Sequence, residues 1–157
     1  MNKKLVGFLV LAVVAFTGGW LYAGGEAVAS NGVKVVMYQN PSCGCCSKWM
    51  EHMQANGFDV EVHKHDVNVN DIKRKENITP EIASCHTAYI EGYLVEGHVP
   101  ARDINRLLAE RPDNIRGLTV PGMPVGTPGM EQPDGRVDQY DVLAFDSANK
   151  TSVYASY

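Results

Sequence analysis

Apolar and polar positions fall into distinct blocks along this chain, and each block predicts an element. Val33 to Tyr38 is a short, nearly continuous apolar run, the pattern of a strand covered on both faces. From Cys46 onward, Cys46, Trp49, Met50 and Met53 recur at helical spacing, and Asn56-Gly57 supplies a C-terminal stop. Phe58, Val60 and Val62 alternate with Asp59 and Glu61 as a second strand, and Val67 to Asn77 carries a weaker helical pattern. Beyond Pro80, a third strand is expected at Cys85 to Ile90, a tight turn at Glu91-Gly92 and a fourth strand at Tyr93 to Glu96. Gly97-His98-Val99-Pro100 then leads into a helix from Ala101 to Glu110, with Ile104, Leu107 and Leu108 on one apolar face.

The resulting order, β-α-β-α-β-β-α, is that of the thioredoxin-like α/β architecture, in which a cysteine motif sits at the start of the first helix. That comparison rests on element order, and a fold does not settle a function. The remainder departs from the plan. Gly117 to Met130 holds four glycines, three prolines and two methionines, and reads as an irregular loop too long to be a mere connector. Tyr140 to Phe145 and Thr151 to Tyr154, separated by Asp146 to Lys150, read as a closing β-hairpin.

At 157 residues and 45% hydrophobic content, the chain has material for one core. The first residues are a separate matter. Lys3 and Lys4 precede the apolar run Leu5 to Phe16, and Ala27-Val28-Ala29 forms a small-residue cleavage site before Ser30. The expected division is therefore a signal peptide over 1–29 and one domain of thioredoxin-like fold over 30–157. The alternative is an N-terminal membrane anchor, since Leu5 to Ala23 is about long enough to span a thin bilayer. Both readings export the domain, and a periplasmic location follows. Loss of 1–29 removes Lys3, Lys4 and Glu26 and leaves a formal charge of about −5, which argues against nucleic acid as a partner.

The chemistry gathers in Asn40 to Trp49, Asn-Pro-Ser-Cys-Gly-Cys-Cys-Ser-Lys-Trp, which holds three of the four cysteines. A strand ends there and a helix begins, and a helix N-terminus stabilises a thiolate through its unpaired N–H groups and its dipole. Cys43 and Cys46 stand in Cys-x-x-Cys register, suited to a redox-active disulfide or to chelation by two thiolates, and Gly44 allows the tight turn between them. Cys45 decides the preference. A dithiol oxidoreductase gains nothing from a third thiol inside its pair, whereas a soft-metal site gains a ligand, and Cu(I) is favoured over zinc. Thiol–disulfide exchange, with Cys43 attacking and Cys46 resolving, remains the alternative, and a structural disulfide is the third.

Cys85-His86 opens the expected third strand and would approach the thiol turn. Strand alternation sends the two side chains to opposite faces, so one of them is expected to reach the site. Met123 and Met130 lie in the Gly/Pro-rich loop away from any periodic face, and a thioether is a soft neutral ligand; Met50 and Met53 read as core. His63 and His65 share a strand face and read as solvated in preference to a metal pair. His98 approaches the cluster only as a lesser alternative, and His52 is expected to be exposed. No zinc-hydrolase helix, serine elbow or phosphate-binding glycine loop is present.

Four segments, Pro41-Ser-Cys-Gly-Cys-Cys-Ser-Lys-Trp49, Ala83-Ser-Cys-His-Thr-Ala88, Gly92-Tyr-Leu-Val-Glu-Gly-His-Val-Pro100 and Val120-Pro-Gly-Met-Pro-Val-Gly-Thr-Pro-Gly-Met-Glu131, together resemble a bacterial family catalogued as a domain of unknown function. Its members are described as metal-binding and are linked with copper resistance. The resemblance spans about Val33 to Val153 and implies a thioredoxin-like, exported, copper-handling protein. Combined with the residue chemistry, the expectation is Cu(I) held by Cys43, Cys45 and Cys46, with Cys85 next and His86, Met123 and Met130 as auxiliary ligands. The protein would sequester copper or deliver it to another copper-handling protein, without catalytic turnover.

Overall fold

The computed structural model describes residues 32–157, so the expected signal or anchor segment lies outside the described residues. The elements are β1 (Lys34–Gln39), α1 (Gly44–Ala55), β2 (Asp59–His63), α2 (Val69–Lys75), β3 (His86–Ile90), β4 (Tyr93–Glu96), α3 (Ala101–Glu110), β5 (Gly117–Thr119), β6 (Asp141–Phe145) and β7 (Thr151–Ser156). The first seven follow the order read from the sequence. All the strands join one mixed sheet in the order β2-β1-β3-β4-β5-β6-β7.

Pattern explains most of these elements. Along β1, Val35, Met37 and Gln39 are buried while Lys34 is exposed and Val36 and Tyr38 are half-buried, so one face is sealed and the other only partly covered. The sealed face meets Cys46, Trp49 and Met53 of α1 and Ile104 and Leu107 of α3 in a core that continues to Leu118 and Val142. Helix α2 lies against β1 and β3. The two-residue turn at Glu91-Gly92, with φ of 49° and 90°, closes the β3–β4 hairpin as expected.

Two boundaries differ from the sequence reading. β3 begins at His86, because Ser84 and Cys85 form a bridge and a bend ahead of the regular ladder. The expected irregular loop also does not begin at Gly117, since Gly117–Thr119 is an interior strand, parallel to β4 and antiparallel to β6. Gly117 reads as a loop residue but serves a crowded strand: a Cβ there would lie 2.1 Å from the Leu94 carbonyl oxygen and 2.7 Å from the Phe145 ring.

The expected closing hairpin is β6–β7, and it is fastened to α3. Tyr140 and Tyr157 stack at 4.8 Å, the Arg102 guanidinium lies 4.2 Å over the Tyr157 ring, and Arg106 lies 3.7 Å over Tyr154. The Tyr157 hydroxyl donates to the Asp103 carboxylate at 2.5 Å. Among the described residues no helix is long and apolar enough to cross a membrane. At the opposite edge β2 ends at His63, which stacks on Tyr38 at 5.0 Å and bonds Asp66 through Nδ1 (2.7 Å) and Glu61 through Nε2 (2.8 Å). His65 lies beyond the strand and is exposed.

Two outcomes follow from this framework. Gly117→Ala forces β4, β5 and β6 apart and costs about 3 kcal/mol by overpacking, measurable by denaturant unfolding. Hydrogen bonds to Asp66 and Glu61 raise the His63 pKa above 6.5; His63 in turn lowers Asp66, while Glu61 is lowered first by Lys34 and then by His63. The contribution of this cluster is therefore present from about pH 4.5 upward and fades as pH rises through the elevated His63 value. Stability of His63→Asn measured against pH loses that decline on the alkaline side, and an unchanged profile contradicts it.

Candidate metal centre

The thiol turn is built by local hydrogen bonding. Asn40 Oδ1 accepts from the Ser42 N–H (3.1 Å) and hydroxyl (2.8 Å), and the Cys43 N–H donates to the Asn40 carbonyl at 3.0 Å. Cys43 is the N-cap of α1, with no side-chain cap and no acidic residue in the first turn to compete with sulfur for the helix N-terminus. Cys46 is fully buried and Cys43 and Cys45 half-buried. Cys43 and Cys46 are joined in a disulfide with Cα atoms 5.4 Å apart, and Cys45 Sγ lies 3.5 Å from Cys43 Sγ.

The fourth sulfur arrives because β3 runs antiparallel to β1. Gln39, the last residue of β1, pairs with His86, the first of β3, so the residue ahead of His86 stands beside the thiol turn. The sulfur atoms of Cys43, Cys45, Cys46 and Cys85 consequently lie within 4.8 Å of one another.

Cys85 also belongs to a second group. Its Sγ is 3.3 Å from His86 Nδ1 and 3.0 Å from His98 Nε2, and one donor atom from each of the three residues falls within the same 4.8 Å limit. The His98 Nδ1–H donates to the Pro128 carbonyl at 2.7 Å, which leaves Nε2 free of hydrogen on the side facing Cys85. The His86 ring packs 4.5 Å from Trp49 and 5.1 Å from His98, and the Trp49 indole N–H donates to the Val99 carbonyl at 2.9 Å.

Burial sets the charge state of these groups. It pushes the His86 pKa well below the usual imidazole value, helped by His98 and Lys73, and lowers His98 against the opposing pull of Pro128 and Glu131. Both rings are neutral, the form in which imidazole binds metal. Burial, reinforced by Cys45, pushes the Cys85 thiol up to about 12, so a cation must displace its proton. The donor set fits a soft cation once an external thiol reductant has opened the Cys43–Cys46 disulfide: four sulfurs then converge at one point, and a thiol with two neutral nitrogens converges beside it.

Several sequence-based expectations change here. Cys85 and His86 both stand at the site; alternation does not separate them, because Cys85 lies in the bend and not in the strand. His98, held as the lesser alternative, is inside the second group. His52, expected to be exposed, is half-buried and accepts the Ala101 N–H through Nε2 at 3.1 Å at the start of α3. Burial lowers its pKa against the opposing charge of Glu131.

Met123 is 50% exposed and Met130 half-buried. Each is one residue from a backbone contact to the donor segments. Gly122 bridges Ser84, next to Cys85, and a Cβ on Gly129 would lie 2.7 Å from the Trp49 nitrogen and 2.8 Å from the Cys45 carbonyl oxygen. With a φ of +86°, Gly129 is what lets the loop backbone rest directly on α1. The Glu131 carboxylate accepts the Gly129 N–H at 3.0 Å and holds that turn. The signal for Pro128 and Gly129 in the sequence is their Pro-Gly pairing within the Gly/Pro-rich loop.

Comparison with known proteins agrees with this geometry. Residues 82–130, which carry Cys85, His86, His98 and the loop, match a family described as "Protein of unknown function, DUF411". Among curated proteins no match is found. Two solved structures are similar over most of the chain. "Copper resistance protein copG- Form 1" shares 39% identity, covers 81% of this chain and 98% of its own, and superposes with a TM-score of 0.74. "Copper resistance protein copG- Form 2" shares 38% identity, covers 81% and 99%, and has a TM-score of 0.73. With identity of this order over nearly the whole length of those structures, the chain belongs to the DUF411 family, that of the copper resistance protein CopG.

Proposed function

We propose that this protein is an exported Cu(I)-binding protein that sequesters copper or passes it to another copper-handling protein. The observation that carries the reading is Cys85, which belongs at once to the four-sulfur group and to the group with His86 and His98. A shared thiolate lets a soft cation exchange between neighbouring sulfur and nitrogen donors without leaving the site, which suits hand-over better than permanent structural binding. Cys43, Cys45, Cys46, Cys85, His86 and His98 are the assigned ligands, with Met123 and Met130 at the approach from the loop. Copper is preferred over zinc because sulfur dominates the donors and the solved relatives are named for copper resistance. Export is supported by the Lys3-Lys4, Leu5 to Phe16 and Ala27-Val28-Ala29 pattern.

A second reading is thiol–disulfide exchange, and the Cys43–Cys46 disulfide favours it. Its attacking thiolate would be Cys43, with Cys46 resolving. Rapid reduction of insulin by the metal-free, reduced protein supports that reading, and its absence removes it.

The metal reading makes its own demands. Anaerobically reduced protein takes up at least about one Cu(I) per chain with mainly sulfur coordination, measured by metal analysis and X-ray absorption. Cys43→Ser with Cys46→Ser lowers affinity strongly, and full retention refutes the assignment. Among single replacements Cys85→Ser is more damaging than Cys45→Ser, by about tenfold or more in competition titrations, because it removes a donor from both groups. Gly129→Ala lifts the loop from α1 and displaces the Pro128 carbonyl from His98. Its expected signature is weaker Cu(I) binding in competition titrations.

A further inference from the structure

Behind the donors lies a buried ion pair. Glu96, the last residue of β4, has no exposed surface, and the Lys73 side chain that reaches it from α2 is only 12% exposed. Lys73 Nζ donates to Glu96 Oε1 and also to Thr87 Oγ1 at 3.0 Å. Glu96 Oε1 further accepts the Ser84 N–H at 2.7 Å, and Oε2 accepts the Thr87 hydroxyl at 2.6 Å. Ser84 and Thr87 are the residues on either side of Cys85-His86.

We propose that Glu96, balanced by Lys73, is a positioning residue for the metal site: a single carboxylate clamps both ends of the Cys85-His86 dipeptide and sets where its thiol and imidazole stand. The proposal rests on the copper-binding reading above. The backbone alone leaves this dipeptide half-held. The β3–β4 ladder pairs Thr87 with Glu96 and stops there, so Ser84 and Cys85 lie beyond its register. The Gly97 N–H bonds the His86 carbonyl at 3.0 Å, and the Ser84 hydroxyl reaches the Gly122 carbonyl at 2.5 Å. The carboxylate supplies the acceptor that the Ser84 N–H would otherwise lack.

Stability by itself does not call for charges here. A buried ion pair is often replaceable by apolar side chains without loss, because desolvation offsets the attraction, while removing only one partner strands the other. Burial pushes the Glu96 carboxyl upward in pKa, and the Lys73 ammonium is the main opposing influence. The pair is better explained by what it holds. Groups behind metal ligands orient them, and their loss typically lowers metal affinity 10–100-fold.

The test compares the wild-type full chain with three variants in Cu(I) competition titrations, X-ray absorption and thermal melting. The double variant Lys73→Met with Glu96→Leu removes both charges and the clamp. It is expected to stay folded but melt below wild type, because the Ser84 N–H and the buried Thr87 hydroxyl lose their acceptor, to bind Cu(I) about 10–100-fold more weakly and to lose nitrogen scattering. Lys73→Met with Glu96→Gln keeps an amide oxygen for the Ser84 N–H and an amide N–H for Thr87, and is expected to restore affinity and nitrogen content. Thr87→Val cuts one arm and is expected to fall between. Wild-type affinity and nitrogen content in the Leu double variant overturn the clamp, and so does equal weakness of the Gln and Leu variants. If the Leu double variant fails to fold, an unchanged Thr87→Val overturns it. Wild-type protein that binds no Cu(I) through sulfur overturns the site assignment itself, an outcome distinct from normal wild-type binding with indifferent variants.

Discussion

The antiparallel pairing of β3 on β1 is the constraint from which the site follows. Because Gln39 faces His86, the end of one strand and the beginning of the other share a single edge of the sheet. α1 must leave from that edge, and its cysteine turn therefore meets the bend that carries Cys85. A parallel β3 would place its first residue at the far end and leave four cysteines divided between two ends of the fold. His98 joins through the same geometry one strand further on, since β4 returns beside β3 and the chain passes through Gly97 before entering α3.

Low polarity then gives the donors their character. His86 and Trp49 are wholly buried and in ring contact, and the site is walled by core side chains on one side and by the Pro128-Gly129 backbone on the other. Such surroundings disfavour every charged protonation state, so the imidazoles stay neutral and the Cys85 thiol stays protonated. An arriving cation supplies the positive charge that makes a thiolate affordable there. Two orphaned buried atoms, His86 Nε2 and Gln39 Oε1, belong to residues directly opposite in the β1–β3 register. Their side chains share one face of the sheet, and neither atom has a hydrogen-bond partner.

Much of this was legible beforehand, for stated reasons. Helices α1 and α3 and the β3–β4 hairpin follow from periodicity and turn chemistry, and Ala101 to Glu110 was read with its observed boundaries. The approach of Cys85 to the CGCC turn was expected by analogy with the thioredoxin-like element order, with either Cys85 or His86 reaching the site. What escaped was information carried between elements. β5 was hidden because Gly117 signals a loop in isolation, and only the closeness of Leu94 and Phe145 shows that a strand without a side chain is needed. His86 and Cys85 were assigned to opposite faces on the assumption that the strand already included Cys85, a boundary shift of one residue. His98 and His52 were undervalued because a histidine's worth depends on its partner, here a loop carbonyl and a helix N-terminus.

The Trp49 indole has a consequence for observing the protein. It is the one tryptophan among the described residues, its N–H is committed to the Val99 carbonyl, and its ring lies 4.5 Å from that of His86. An excited indole held so rigidly against an imidazole at the sulfur cluster is a built-in optical reporter, whose emission intensity tracks events at the cluster without any added label.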